Sequence, residues 1–310
     1  MAVPSALTAP VLRESSDDLQ SPAALVVFAR TFPPGRGRVA VGHADAMLSG
    51  MATLDGNPVA ADDLLPLALT NTGHFTSMRV SDDGSIRGLE LHMERLVRDC
   101  KTVFGAGLDT GCVRGYVRRE LAGRSGPCVV RVTIYDPAID MGHPADADQP
   151  HILVSVRGAG ALPPAPLRAM SVAYERDLPE VKHVALFGSL RARRTAQLAG
   201  YEDALFVGHD GLVSEGGTWN VGFVDQDGTI VWPQAPVLCG VTMALLQQHA
   251  EHRVATVTLE QAKNMAAAFA TNTSIGVRPL RAIDQTELAV EHPVLRQLQE
   301  AYLSIPGEIL

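Results

Sequence analysis

Apolar and polar positions change rhythm several times along these 310 residues, and the rhythm predicts most of the elements. Residues 1–50 hold no clear amphipathic period, and Pro33-Pro34-Gly35-Arg36-Gly37-Arg38 is loop material. We read them as an N-terminal extension, an idea that fails if a chain beginning at Met51 neither folds nor acts. From Met51, "MATLDGNPVAADDLLPLAL" predicts a short strand, a turn at Gly56-Asn57 and a second element. Residues 72–90 predict two strands around Asp82-Asp83-Gly84. Over 92–105, Met93, Leu96, Val97, Cys100, Val103 and Phe104 share one helical face. A second helix is expected over Val113 to Leu121. "CVVRVTIYD" and "HILVSVRG" alternate as strands on either side of a loop rich in Pro, Asp and Gly.

"GAGALPPAP", residues 158–166, breaks the pattern and predicts a linker. "RAMSVAYE" then predicts a strand, and "HVALFGSLRARRTAQLAG" a long helix stopped by Gly200. "DALFVGHDGLVSE" and "NVGFVDQDGTIVWP" both predict hairpins turning at Asp-Gly. "GVTMALLQQHAEH" opens a helix, "AAFATNTSIGVRPLRAID" gives strand, polar turn and strand, and a last helix covers roughly Pro293 to Leu303. No internal repeat is visible. The expected fold class is α+β in two domains: a small one over 51–157, the linker 158–166, and a larger one over 167–310.

Composition narrows the functional classes. Apolar residues make up 46% and charged residues 19%, enough for a sizeable core. The formal charge of −8 argues against a nucleic-acid partner, which needs a positive footprint. The longest apolar run near the N-terminus, Ala23 to Ala29, is too short to span a bilayer. The four cysteines show neither CxxC nor metal-type spacing and read as reduced thiols. We expect a soluble cytoplasmic protein without membrane or nucleic-acid partners. Of 26 basic residues only Lys101, Lys182 and Lys263 are lysines, so lysine chemistry has three candidates.

No P-loop and no GxSxG elbow is present, and Gly35-Arg36-Gly37 is not followed by a βα unit. His249 and His252, three apart beside Glu251, have no third metal ligand in view and read as a wet helix face. His209-Asp210-Gly211 reads as a turn, and Arg191, Arg193 and Arg194 as a solvated charge run. Three segments remain. Lys182, in "LPEVKHVALF", ends an extended stretch, and apolar neighbours would favour its nucleophilic neutral form. Glu215, in "GLVSEGGTWN", precedes two glycines that let backbone approach a ligand. Gly240-Val241-Thr242 stands where a helix begins, with free N–H groups for a phosphate. Thr271-Asn272-Thr273-Ser274 offers further donors, and Arg95 a bidentate fork. Taken singly, each also reads blandly: a surface lysine, a turn glutamate, a threonine cap.

Their joint order resembles the fold-type IV pyridoxal-phosphate enzymes, the class IV aminotransferase family, which includes branched-chain and D-amino-acid aminotransferases and aminodeoxychorismate lyases. The resemblance runs from about Met51 to Ile283 through "FTSMRV", "LHMERL", "EVKHVALF", "DALFVGHDGLVSEGGTWNVGFV", "LCGVTM" and "TNTSIGVRPL". It implies pyridoxal 5'-phosphate as cofactor, amino and keto acids as substrates, and a homodimer with the site at the domain junction. Lys182 would form the Schiff base, and Glu215 would pair with the pyridine nitrogen. Arg95, Val241, Thr242 and Thr273 would hold the phosphate. Asn220 matches a position near the ring or a structural one, and Arg176 either reaches the phosphate or orders the chain before Lys182. Two departures stand out. Phe187 occupies the position, five after the lysine, where branched-chain members carry a tyrosine. "RVTIYDP" lacks the "TRG"-like end of the D-amino-acid enzymes. An aminotransferase is the first expectation, with a lyase releasing pyruvate and p-aminobenzoate as alternative and a non-catalytic binding protein as the reading of another class.

Overall fold

The strand rhythm of the first half builds an antiparallel sheet. The computed structural model describes residues 52–310, so the proposed extension lies outside the described residues. The elements are β1 (Ala52–Leu54), β2 (Asn57–Pro58), α1 (Leu65–Thr70), β3 (His74–Val80), α2 (Leu89–Phe104), α3 (Thr110–Leu121), β4 (Cys128–Tyr135) and β5 (His151–Gly158). The five strands run in the order β2-β1-β5-β4-β3. Alternation decides what each face meets. Met78, Val80, Val130, Val132, Ile134, Val154 and Val156 pack against Met93, Leu96 and Cys100 of α2 and Val113 and Val117 of α3. The alternate residues, Ser77 and Arg131 among them, turn the other way into a cleft.

The second half holds β6 (Leu167–Ala173), α4 (Phe187–Leu198), β7 (Asp203–Val207), β8 (Val213–Gly216), β9 (Asn220–Val224), β10 (Ile230–Pro233), α5 (Val241–His249), β11 (His252–Ala255), α6 (Leu259–Lys263), β12 (Ala267–Asn272), β13 (Gly276–Ile283), β14 (Thr286–Glu287) and α7 (Pro293–Ser304). Its nine strands form one sheet in the order β11-β10-β9-β12-β13-β6-β7-β8, with β14 on β13. Because β8 also pairs with β9, six of these strands close into a ring, and the closing pair is Glu215 opposite Asn220. Leu205, Val213, Trp219, Val221, Phe223, Ala268, Ala270 and Leu280 fill this half's main core. Each buried side chain of Leu, Val or Phe size contributes about 1.5–3 kcal/mol. Outside the ring, Trp232 meets Phe269 edge-on at 5.2 Å beneath α5 and α7.

Three local expectations need correction. The second strand expected before residue 90 is reduced to a bridge at Ile86, which bonds Val80 and the distant Glu308. The helix expected from 183 starts only at Phe187. Residues 182–184 lie extended along β3 instead: the Phe75 N–H donates to Lys182 O at 2.8 Å and the Val184 N–H to Gly73 O at 2.9 Å. Backbone groups satisfied by a neighbouring strand are not available to begin a helix. The helix at 240 stops at His249, and residues 252–255 join β10 as a parallel strand. Both His249 and His252 turn their rings to backbone carbonyls, of Leu245 and Ala250. Gly200, at φ +87°, follows the end of α4.

Candidate active site

A cleft of about 240 Å³ lies where the two sheets meet, and it gathers most of the singled-out residues. Lys182, Glu215, Arg95, Val241, Thr273, Asn220 and Arg176 all line it. Lys182 reaches it from the extended segment beside β3, its own N–H held by Asp99 Oδ2 at 3.0 Å. Asp99 is fully buried and also binds Arg98 at 2.8 Å. Burial pushes the Lys182 amine down to about 7, helped by the nearby Arg95 and Arg176 charges and opposed by Glu215. Its ammonium nitrogen lies 4.8 Å from the Phe75 ring. The other lysines are engaged elsewhere: Lys101 donates to Gly105 O at the end of α2, and Lys263 pairs with Asp284 at 2.7 Å.

Glu215 is 5% exposed, and burial raises its carboxyl to about 7 against the pull of Arg176. Arg176 stands 3.5 Å from that carboxylate while donating to Pro179 O and Val181 O, so it orders the turn into Lys182 and faces Glu215 together. Asn220 donates to Leu238 O at 2.7 Å and so anchors the loop that leads to α5. A side chain at Gly240 would collide with the Asn220 amide, which explains glycine there.

Arg95 is 5% exposed, donates to Thr76 Oγ1, and keeps its Nε without a hydrogen-bond partner. Burial lowers its guanidinium to about 10, with Asp99 opposing. Thr271 Oγ1 is likewise buried and unpartnered. In the β12–β13 turn, Asn272 Oδ1 accepts from the Ser274 and Ile275 N–H groups and so fixes Thr273 at the cleft wall. Thr242 is buried and does not line the cleft, and its hydroxyl engages Tyr302 of α7. Only its main-chain N–H shares the α5 N-terminus.

Pyridoxal 5'-phosphate fits these residues. An unpartnered guanidinium nitrogen at Arg95 and the free N–H groups of α5 suit its phosphate. A buried carboxyl suits its ring nitrogen, and an amine held near neutrality suits its carbonyl. Phe187 is 80% exposed at the start of α4 and does not line the cleft. Sequence reasoning missed Arg131, Arg157, Phe75 and Ser77 of the lining and the tether Asp99. An arginine inside the apolar run "CVVRVTIY" and an acid within the apolar face of α2 were the signals available. Among the described residues no cluster of His, Cys, Asp and Glu could hold a metal ion. No helix among them is long and apolar enough to cross a membrane.

Known proteins share this fold. A stretch of 129 residues is 29% identical to a probable branched-chain-amino-acid aminotransferase of Rickettsia felis, spanning 39% of this chain and only 44% of that relative. The branched-chain amino acid aminotransferase from Thermobaculum terrenum, solved in its PLP form, has a TM-score of 0.72 at 20% identity, over 83% of this chain and 94% of the other. A hypothetical aminotransferase from Mycobacterium tuberculosis in its PLP-bound form gives 0.71 at 19% identity, over 82% and 98%. At such identities the likeness speaks for the fold. The family model for amino-transferase class IV matches residues 73–283, and the chain belongs to that family of fold-type IV pyridoxal-phosphate enzymes.

Proposed function

We propose that this protein is a pyridoxal-phosphate-dependent aminotransferase moving an amino group between an amino acid or amine and a 2-keto acid. The observation that carries this reading is the pairing of Lys182 and Glu215 in one cleft, each brought to about 7 by burial, beside a cradle for an anion. When bound, the cofactor supplies a reactive carbonyl and a ring that accepts electrons. Lys182, uncharged in part at neutral pH, would offer the nucleophile for attachment and, once freed by substrate, would take the proton from the substrate Cα and give it back to the carbon on the other side of the transferred nitrogen. Glu215 holds a proton at the ring nitrogen. Arg95 and the N–H groups of Val241 and Thr242 fix the phosphate, with Thr273 beside them. Asp99, through the Lys182 main chain, keeps the amine aimed into the cleft. The working unit we propose is a homodimer. Phe187, Leu190 and Leu198 leave apolar surface exposed on α4, in keeping with that, and light scattering checks it.

The purified protein is expected to be yellow, and borohydride should fix cofactor to Lys182. Lys182→Ala should abolish turnover, while Lys101→Arg and Lys263→Arg leave it nearly intact. A colourless protein that takes up no pyridoxal phosphate overturns the reading. Conversion of aminodeoxychorismate to p-aminobenzoate with no amino transfer would replace it with the lyase.

A further inference from the structure

Arg95 reaches the cleft from an apolar interface, and the groups that grip it there are uncharged. Thr76 shares a face of β3 with Met78 and Val80, which pack on α2, while the alternate residues Phe75 and Ser77 line the cleft. Thr76 and His92 are both fully buried. Arg95 Nη2 donates to Thr76 Oγ1, and His92 Nδ1 lies 2.7 Å from that oxygen and 3.2 Å from Nη2. A guanidinium can only donate. The Thr76 oxygen therefore accepts from Arg95 and passes its one hydrogen on to His92. Facing two donors, His92 Nδ1 is an acceptor, and the ring proton belongs on Nε2. Burial and the nearby Arg95 and Lys182 charges push this imidazole well below the ordinary histidine range, which keeps it neutral.

A carboxylate stands close by and is not used. Asp99 follows Arg95 by four positions on α2, the spacing of an ordinary helical ion pair. Its Oδ1 accepts from Arg98 Nε at 3.1 Å and Nη2 at 2.8 Å, and its Oδ2 from the Lys182 N–H at 3.0 Å. Among the described residues no carboxylate pairs with Arg95. Its Nε has no protein partner either. A buried cation held only by neutral acceptors is costly until an anion reaches it, and then it gives that anion its whole charge. We infer that Thr76 and His92 are positioning residues for the cofactor phosphate: a one-way chain from Arg95 Nη2 through Thr76 Oγ1 to His92 Nδ1 fixes the guanidinium and leaves its charge uncompensated for the anion. The inference rests on the pyridoxal-phosphate reading and deepens it. Neither residue lines the cleft, so both act through Arg95.

The test separates the phosphate from the rest of the cofactor. Cofactor is removed from the holoprotein and returned as pyridoxal phosphate or as pyridoxal, which has the same ring and carbonyl but no phosphate, and visible absorbance follows binding. Thr76→Val and His92→Leu should each weaken pyridoxal phosphate about 10- to 100-fold, the range of one hydrogen bond to a charged group, while pyridoxal binding changes by less than about twofold. Thr76→Ser keeps the hydroxyl and His92→Asn keeps an acceptor near Nδ1, so each should regain most of the loss. A second measurement needs no folded variant. Nitrogen NMR of the parent holoprotein with labelled histidine, at about pH 5.5 where an ordinary histidine is mostly charged, should show His92 neutral with its proton on Nε2. Equal weakening of both probes by Thr76→Val and His92→Leu overturns the inference, as does a His92 that is charged or carries its proton on Nδ1. A parent protein that takes up neither probe defeats the cofactor reading itself and this inference with it, whereas a parent that binds both probes beside variants that fail to discriminate leaves the cofactor reading standing.

Discussion

Lys182 and Glu215 are shifted in opposite senses, and their pH behaviour follows. An amine lowered to about 7 is half uncharged at neutral pH, whereas an ordinary lysine is almost wholly protonated there. In cofactor-free protein a limiting amine-acylating reagent at pH 7.5 should modify Lys182 well ahead of Lys101 and Lys263, read by peptide mass spectrometry, and the preference should fade as pH falls through 7. Equal labelling of the three would contradict the buried site. Glu215 has its folded value raised from 4.5 to about 7, so between those values the folded chain holds more protons than the unfolded one. Its contribution to stability is present at low pH and is lost as pH rises through that window. Glu215→Gln removes the dependence, so the melting-temperature gain of the variant over the parent should grow from pH 5 to pH 8, and a flat difference would refute the raised value. Both residues were legible in the sequence, because one stands before an apolar helix start and the other before paired glycines. Arg131 and Asp99 were not, because an isolated charge in a strand or helix gains meaning only from what folds against it.

At the scale of elements, α2 connects Arg95, the phosphate ligand we propose, to Lys182. It opens at Gly88, φ +68°, where an added Cβ would lie 2.8 Å from Val241 Cγ1 at the head of α5. Gly88→Ala should therefore destabilise the fold by about 1–3 kcal/mol, from backbone strain and crowding together. It should also weaken cofactor retention through Val241, seen as a lower denaturant midpoint at unchanged slope and a faster loss of colour. One turn beyond Arg95, Asp99 sits on the same buried face and takes the Lys182 N–H. The amphipathic period predicted this helix well because its core face is local in sequence. The start of α4 was misread for the opposite reason: residues 182–184 pair with β3, more than a hundred positions earlier, and no local pattern carries that contact.

At the scale of the molecule, both Asp-Gly hairpins were readable from turn chemistry, but the ring they join was not. Its closure rests on a single pair, Glu215 opposite Asn220, and on β6 lying parallel between β13 and β7. Each is a contact between distant segments. The division at 158–166 remains our proposal for where one half ends, and a partly exposed stretch there is a natural place for a protease to cut. Cleavage there should leave the two pieces associated in gel filtration, since the 182–184 segment belongs by sequence to one half and by hydrogen bonding to the other. A cofactor attached at Lys182 and cradled by α5 would then act as a cross-link between the β3 edge and the second sheet. Loading the site should therefore slow amide exchange at Phe75 and Val184, whose N–H groups hold that edge together.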